Sequence, residues 1–418
     1  MDFFRFLMSD VLSEPAVLVG LIALIGLIAQ KKPVTECIKG TVKTIMGFVI
    51  LGAGAGLVVS SLGDFVNIFQ HAFGIQGVVP NNEAIVSVAQ KSFGKEMAMI
   101  MFFAMVINIM IARFTPWKFI FLTGHHTLFM SMMVAVILAT AGMTGITLIA
   151  VGSLVVGVAM VFFPAIAHPY MKKVTGSDDV AIGHFSTLSY VLAGFIGSKF
   201  GNKEHSTEDM NVPKSLLFLR DTPVAISFTM SIIFLVTCLF AGADAVKELS
   251  GGKNWFMFSI MQSITFAAGV YIILQGVRMV IAEIVPAFKG ISDKLVPNAR
   301  PALDCPVVFP YAPNAVLVGF LSSFAAGLIG MFTLYLLNMI VIIPGVVPHF
   351  FVGAAAGVFG NATGGRRGAI LGAFAQGLLI TFLPVFLLPV LGDIGFANTT
   401  FSDADFGALG ILLGIIVR

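Results

Sequence analysis

The chain has 418 residues, of which 58% are hydrophobic and 11% charged, and its formal net charge is +3. A soluble domain carries about 25% charged residues, so a surface that faces water over most of this molecule is excluded. The surface must largely face lipid, and the 44 glycines suit close packing between membrane helices. Cys37, Cys238 and Cys305 form no CxxC pair, so neither a zinc site nor a disulfide framework is indicated.

Long apolar runs predict membrane-spanning helices, because a hydrocarbon core of about 30 Å needs roughly 17–25 residues. The first run lacks a small-residue cleavage site and is interpreted as a retained span. The last run is cut off by the end of the chain, which suggests a truncated span. The eleven predicted spans are 15–30, 41–62, 97–112, 118–141, 146–166, 222–243, 259–282, 314–337, 338–356, 366–391 and 406–418.

Lysine and arginine predominate in the odd-numbered connections between these spans, for example Lys31 and Lys32 in the first and Arg366 and Arg367 in the ninth. Positively charged loops stay cytoplasmic, so the N-terminus is predicted outside and the C-terminus inside. A further apolar segment, 181–197, would reverse every later loop if it crossed the membrane. We therefore interpret it as re-entrant or interfacial.

Two polar segments with the same sequence, Val-Pro-Asn at 79–81 and at 296–298, interrupt the apolar pattern at an offset of 217 residues. Four spans of the first half fall on later spans at this offset. Because each half holds five spans, an odd number, the second half is predicted to be inverted relative to the first, as in many transporters. Irregular backbone at membrane depth must be buried in protein or line a cavity. The two segments are therefore predicted to form re-entrant hairpins, near 79–93 and 296–313, that point at one site from opposite faces.

The predicted fold class is an all-α integral membrane protein with two inverted five-helix repeats and a final helix. Its predicted parts are a first repeat at 1–167, a cytoplasmic or re-entrant connector at 168–221, a second repeat at 222–392, and a last span at 393–418.

Ionisable side chains inside membrane segments indicate function, because burying them in lipid is costly. Each of them can alternatively have only a structural role, since a buried histidine can form a hydrogen bond with a neighbouring helix. Only one of the adjacent His125 and His126 needs to face the interior, because neighbours on a helix differ by about 100°. No nucleotide-binding motif occurs, which argues against an ATP-driven pump. The candidates are Glu83, His125, His126, His184, Asp304 and His349.

Several motifs together resemble one family of transporters. The segments IKGTVKTIMGF, LTGH, AIGH, AFKGISDKLVPNA, YAPNAVLVGF and IIPGVVPHFF are spread over nearly the whole chain. They resemble enzyme IIC, the membrane permease component, of ascorbate-family phosphotransferase systems in the ascorbate–galactitol superfamily. The resemblance implies a homodimer of eleven-span protomers, each with a core domain that holds both hairpins and a scaffold domain that forms the dimer.

The same resemblance implies a function. It favours L-ascorbate, or a related sugar acid or polyol, as a substrate carried across the inner membrane by an elevator-type movement of the core domain. Phosphoryl transfer would come from a phosphocysteine on a separate IIB protein, which a IIA protein supplies. The chain is then a transporter component and not an enzyme, with no cofactor, metal or nucleic acid.

Substrate contacts are also implied by the resemblance. Phe129 and Phe185 stand where the ascorbate pattern has glutamine, Ala55 where it has serine, and Glu83 where it has an aromatic residue. The implied contacts are Gly54, Ala55, Asn82, Glu83, His125, Phe129, His184, Phe185 and Asp304.

Two other functions remain open from the residues. The chain is alternatively an ion-coupled secondary transporter of a sugar acid or polyol, with Asp304 or Glu83 as the proton site. The third possibility is a receptor that has the fold of a transporter but does not transport. Composition and repeats do not separate these three, and only the resemblance favours group translocation.

Overall fold

The computed structural model describes residues 15–74, 77–210, 215, 218–219, 221–392 and 399–417. The chain is mostly helical, as an integral membrane protein requires. Within the described residues, six helices are long and apolar enough to cross a membrane: Asn82–Phe114, Gly145–Thr175, Pro223–Ala241, Trp255–Ile272, Pro313–Leu336 and Val346–Leu391. A multi-pass membrane protein is thereby supported, whereas the number of eleven spans stays a prediction.

The helices follow one another along the described chain as α1 (Pro15–Ala29), α2 (Val34–Phe73), α3 (Asn82–Phe114), α4 (Gly124–Thr140), α5 (Gly145–Thr175), α6 (Thr187–Phe200), α7 (Thr222–Ala241), α8 (Ala243–Leu249), α9 (Trp255–Leu295), α10 (Pro313–Leu336), α11 (Val346–Leu391) and α12 (Ala404–Val417). Two short 3₁₀ helices lie at Thr207–Asp209 and Cys305–Tyr311. The backbone of α11 breaks at Gly364 and Gly365, where Gly365 has φ 61°. This break falls between the ninth and tenth predicted spans.

Six short strands correct the all-α prediction. They are β1 (Gly77–Pro80), β2 (Phe119–Phe121), β3 (Ala181–Ile182), β4 (Arg300–Leu303), β5 (Val341–Ile342) and β6 (Thr399–Thr400). They form two three-stranded parallel sheets, in the orders β5-β1-β6 and β2-β4-β3. These strands have only two to four residues, most of them buried, so they are too short to show the alternation of apolar and polar residues that identifies a strand in a sequence. In the sequence they look like the ends of apolar helical segments.

Each sheet combines strands from both halves of the chain. In sheet one, β1 from the first half lies between β5 and β6 from the second half. Sheet two has the opposite composition, because β4 from the second half lies between β2 and β3 from the first half. Parallel pairing of strands so distant in sequence ties the two halves together at two places.

The first predicted hairpin, near 79–93, is corrected in its boundaries. Residues 77–80 are a strand, and α3 runs without a break from Asn82 to Phe114, so the predicted third span starts about four turns too late. Asn81 is the N-cap of this helix, and its side chain accepts a hydrogen bond from the Ala84 backbone N–H. The polar residues that suggested a loop are therefore a strand end and a helix cap.

Two helices of 14 residues, α6 and α12, begin directly after strands. At about 1.5 Å per residue each is near 21 Å long, which is short of a membrane core. For α6 this agrees with the interpretation of 181–197 as a segment that does not cross. Helix α12 lies at the position of the predicted last span, 406–418.

The helices form two groups by their packing. One group holds α1, α2, α7 and α9, in which α9 packs along α2 and α7. The other group holds α3 to α6 and α10 to α12, in which α11 packs on α6 and α10, and α3 on α5. Buried clusters of apolar side chains join the two groups: the cluster around Phe65 and Phe234 also holds Phe320 of α10 and Phe350 of α11, and the cluster around Met133 and Phe185 also holds Phe48 of α2.

A cavity between the ends of two sheets

A cavity of about 210 Å³ lies where the carboxyl ends of the two sheets meet. All six strands contribute to its walls through residues that lie one to six positions after each strand. Ligands of open parallel sheets bind outside the carboxyl ends of the strands, and both sheets of this chain aim that end at the same space. The contributions are Asn82 and Glu83 after β1, His125 and His126 after β2, His184 after β3, Asp304 after β4, Val347 and Pro348 after β5, and Ser402 and Asp403 after β6.

On the side of sheet two, Asp304 lies between two histidines. Its Oδ2 is 3.5 Å from His125 Nε2, and its Oδ1 is 3.8 Å from His184 Nε2. The other ring nitrogen of His184, Nδ1, is 2.8 Å from the Tyr190 hydroxyl, which fixes the orientation of the ring. Asp304 is also the N-cap of the following 3₁₀ helix, where its Oδ1 accepts from the Cys305 backbone N–H at 2.7 Å. One carboxylate oxygen therefore remains available to a ligand beside two imidazoles.

His126 is held as a hydrogen-bond donor to the cavity. Its Nδ1 accepts the backbone N–H of Phe185 at 3.2 Å, so the ring hydrogen must sit on Nε2. Three groups of potential metal ligands occur among the described residues, and two of them include His126. In those two groups a protonated Nε2 has no lone pair for a metal, so His126 is better suited to donate to a hydroxyl group of an organic ligand.

On the side of sheet one, Asp403 and Asn82 form a buried pair. Asn82 Nδ2 donates to Asp403 Oδ2 at 2.7 Å, and the Ser402 backbone N–H donates to Asn82 Oδ1 at 2.9 Å. Asp403 also lies close to the imidazoles of His126 and His184, with the three ligand atoms within 4.8 Å of one another. Glu83, in the first turn of α3, lines the same side and is 6% exposed.

The acids around the cavity lie at helix N-termini. Glu83 is in the first turn of α3 and Asp304 caps the 3₁₀ helix. Asp405 in the first turn of α12 accepts the backbone N–H groups of Thr187 and Leu188 at 2.8 and 2.9 Å, which are the free donors of α6. Helix N-termini carry partial positive charge, which offsets the cost of placing carboxylates here. The same ends also favour a ligand with negative charge.

The amino ends of sheet two are joined by an ion-pair network centred on Asp178. Its carboxylate contacts Lys172 Nζ and His168 Nε2, both at 2.6 Å, and the Arg300 guanidinium at the start of β4. The hydrogen bonds from Lys172, His168 and Arg300 hold the pKa of Asp178 well below its ordinary value. Asp178 therefore stays ionised at neutral pH and keeps β4, which leads to Asp304, attached to the loop before β3.

Six of the nine residues implied as substrate contacts line the cavity: Asn82, Glu83, His125, Phe129, His184 and Asp304. Phe185 is fully buried behind it, with its ring stacked on Phe121 at a centroid distance of 4.6 Å. Gly54 lies in the contact between α2 and α9, where its carbonyl oxygen is 3.0 Å from the position that a Cβ on Gly269 would take. Ala55 follows Gly54 on α2 and lies outside the residues whose side chains the structure describes.

Three polar residues that line the cavity were not among the candidates from the sequence: Arg278 on α9, and Ser402 and Asp403 after β6. Of His125 and His126, only one was expected to face the interior, whereas both line the cavity. His125 and His126 both line the cavity because they lie in the first turn of α4, and this end of the helix borders the cavity. The only signal for the last pair was the run Ser-Asp-Ala-Asp at 402–405, directly before an apolar segment.

The chain matches known proteins over nearly its whole length. A family model described as the sugar-specific permease component of the phosphotransferase system, EIIC-GAT, matches residues 10–405. A relative from Mycoplasma pneumoniae (strain ATCC 29342 / M129 / Subtype 1), named the ascorbate-specific PTS system EIIC component, is 28% identical over 459 aligned positions. This alignment covers 96% of the present chain and 67% of the relative.

Proposed function

Because this chain belongs to the sugar-specific permease components of the phosphotransferase system, we propose that the cavity between its two sheets is the site that binds the transported substrate. The observation that carries the proposal is the convergence of residues from all six strands, and so from both halves of the chain, on one polar cavity in an apolar molecule. L-ascorbate is the first candidate substrate, since the relative is named for it. Other small sugar acids and polyols are the alternatives.

The polar groups of the cavity suit a small compound with several hydroxyl groups. His126 Nε2 donates, the carboxylates of Asp304 and Asp403 accept, and His125 and His184 provide further polar nitrogens. A cavity of 210 Å³ is smaller than the roughly 300–1,000 Å³ of drug-sized sites, which fits a single sugar-like molecule. Phe129 offers an apolar wall against which the carbon skeleton can pack.

Phosphoryl transfer to the substrate is the work of a separate IIB protein. In the proposed step, the S–P bond of its phosphocysteine breaks and a bond forms between phosphorus and a substrate hydroxyl oxygen. The hydroxyl proton passes to the Asp304 carboxylate, and the cysteine leaves as a thiolate. Asp304 suits this role because it is 38% exposed at its side chain and is flanked by His125 and His184.

An inverted repeat is supported by the sheet composition. The central strand of each sheet comes from the half opposite to its two neighbours. In addition, the starts of α6 and α12, at Thr187 and Ala404, are offset by 217 residues, the offset of the two Val-Pro-Asn segments. We propose that the two halves are related by a pseudo-two-fold axis through the cavity, as in transporters with inverted repeats.

The division into two helix groups supports a core domain and a scaffold domain. We propose that α3 to α6 and α10 to α12 form the core, which carries the substrate, and that α1, α2, α7 and α9 form the scaffold of a homodimer. The core would move as a body in an elevator-type cycle. The N-terminus is proposed outside the inner membrane and the C-terminus in the cytoplasm, in keeping with the positively charged connections.

A second candidate function is ion-coupled transport of the unmodified substrate. The observation that favours it is the pair of buried carboxylates, Glu83 and Asp403, on one side of the cavity. A buried acid in a transporter can carry a proton. Family membership favours group translocation over this alternative.

Transport assays distinguish the two functions. In proteoliposomes that contain the protein, we expect labelled L-ascorbate, or the sugar acid or polyol that binds best, to accumulate only when phosphorylated IIB is present on the cytoplasmic side. The accumulated label should be a phosphate ester, because transport and transfer are coupled. Accumulation of unmodified substrate on a proton or sodium gradient, without carrier proteins, would instead establish the ion-coupled function. Liposomes that carry the Asp304→Asn variant serve as the control for leakage.

A further inference from the structure

The cavity has an unbalanced set of ionisable side chains. Three acids line it, Glu83, Asp304 and Asp403, of which Asp304 is the most exposed. Among the described lining residues, Arg278 is the only lysine or arginine. An anionic substrate beside the Asp304 carboxylate would meet like charge unless a cation took part, because like charges at close range oppose one another in a site of low dielectric constant.

Arg278 differs from the other lining residues in its origin. It belongs to α9, which packs along α2 and α7 in the first helix group. The other walls come from α3, α4, α11 and the segments after β3, β4 and β6, all in the second group. The side chain of Arg278 is exposed in the isolated chain, and its charge acts on that of His125. Arg278 therefore lines the cavity from the first helix group, on the side of His125.

Resting on the proposed function, we infer that Arg278 is a specificity-determining residue that binds the anionic group of the substrate, so that the site takes monoanionic hydroxylated compounds. A guanidinium pairs with a carboxylate or an enolate through parallel N–H donors, which gives both charge and orientation. The helix N-termini around the cavity add partial positive charge to the same end. The hydroxyl groups of the substrate are left for the histidines and carboxylates.

The origin of Arg278 has a consequence for transport. The substrate is held by groups of the core, whereas its charge is paired by a residue of the other helix group. Movement of the core relative to α9 would separate the anion from Arg278 and leave its charge unpaired. Affinity for the anion would then fall in the moved state, which favours release.

Matched pairs of acids and neutral compounds test the inference in the full-length protein. The probes are L-ascorbate with its uncharged 3-O-methyl ether, and D-gluconate and D-galactonate with D-glucitol and D-galactitol. Their binding is measured at pH 7 for the unmodified protein and for Arg278→Gln, Arg278→Lys and the control Arg113→Gln, which changes an exposed arginine outside the cavity. Loss of one charge-assisted pair should weaken binding of an acid by about 10- to 100-fold in Arg278→Gln.

We expect the neutral partner to change by less than about threefold, Arg278→Lys to recover part of the affinity, and Arg113→Gln to behave as the unmodified protein. Equal weakening of acid and neutral partner, or no weakening of either, would overturn the role of Arg278. A protein that binds only the neutral members would also overturn it while leaving the proposed function intact. A protein that binds no member of the panel would refute the proposed substrate class itself.

Discussion

Replacement of Asp304 by asparagine should weaken substrate binding by about 10- to 150-fold, because charge-assisted hydrogen bonds contribute roughly 1.5–3 kcal/mol each and 1.4 kcal/mol is tenfold in affinity. The substitution keeps the size of the side chain and its ability to cap the 3₁₀ helix. Folding should therefore change little. Phosphoryl transfer should fall further than binding, since asparagine does not accept the hydroxyl proton.

His184 provides the double-mutant partner of Asp304. Its Nε2 is 3.8 Å from the Asp304 carboxylate, although the two residues are 120 positions apart in the chain. His184→Ala alone should weaken binding by a similar factor. The double variant should lose less than the product of the two factors, because residues that hold the same ligand are not independent.

The control for these variants is Asp244→Asn, which changes an exposed aspartate on α8 away from the cavity. It should bind substrate as the unmodified protein does. If Asp304→Asn folds, inserts and binds with unchanged affinity, Asp304 is a structural cap and the proposed site is refuted.

Replacement of Gly183 by alanine should disturb the site through its backbone. A Cβ at this position would lie 2.5 Å from the Ala302 carbonyl oxygen and 2.7 Å from its carbonyl carbon, in the neighbouring strand β4. Both contacts are with backbone, so β3 must move away from β4. The hydrogen bond from Gly183 N to Leu303 O, now 2.7 Å, would lengthen, and His184 would move with it.

We expect Gly183→Ala to lower the free energy of unfolding by roughly 1–3 kcal/mol, the usual cost of overpacking, and to weaken substrate binding at least tenfold. Thermal unfolding in detergent and equilibrium binding measure the two effects. Gly63→Ala is the matched control, because a Cβ at Gly63, within helix α2, would meet no atom within 4 Å. Equal melting temperatures and affinities for the two variants would show that the contact between β3 and β4 does not position His184.

The helical part of the fold was predictable from the sequence because it depends on the length of apolar runs. Predicted spans at 146–166, 222–243 and 314–337 lie on α5, α7 and α10 with small errors at their ends. The strands were not predictable in this way. A strand such as Val341–Ile342 has two buried residues, and it is stabilised by pairing with Gly77 and Val78, more than 260 positions earlier. No local pattern contains that pairing.

Some residues of the candidate site were likewise predictable from local sequence, and others depend on contacts between distant segments. His125, His184 and Asp304 were chosen because they are ionisable residues in apolar segments that also match family motifs, and the structure places all three on one cavity. Asp403 was missed although it is only 4% exposed, because it precedes the last apolar run and was read as a connection. Its position depends on β6 pairing with β1, which brings residue 403 to Asn82. Arg278 was not among the candidates from the sequence, since its approach to the cavity depends on packing between the two helix groups.

Protection of a cysteine introduced at position 306 is the most direct measurement of whether substrate occupies this cavity. Pro306 lines the cavity beside Asp304 and is exposed, whereas the three native cysteines, Cys37, Cys238 and Cys305, are buried. In a Cys37→Ser, Cys238→Ser, Pro306→Cys protein, a small methanethiosulfonate reagent should form a mixed disulfide at position 306, and saturating substrate should slow the reaction by at least about tenfold, since bound ligand excludes the reagent. The same protein without the Pro306→Cys change is the control for reaction at the buried Cys305. An unchanged modification rate at position 306 under saturating substrate would place the binding site elsewhere and contradict the account.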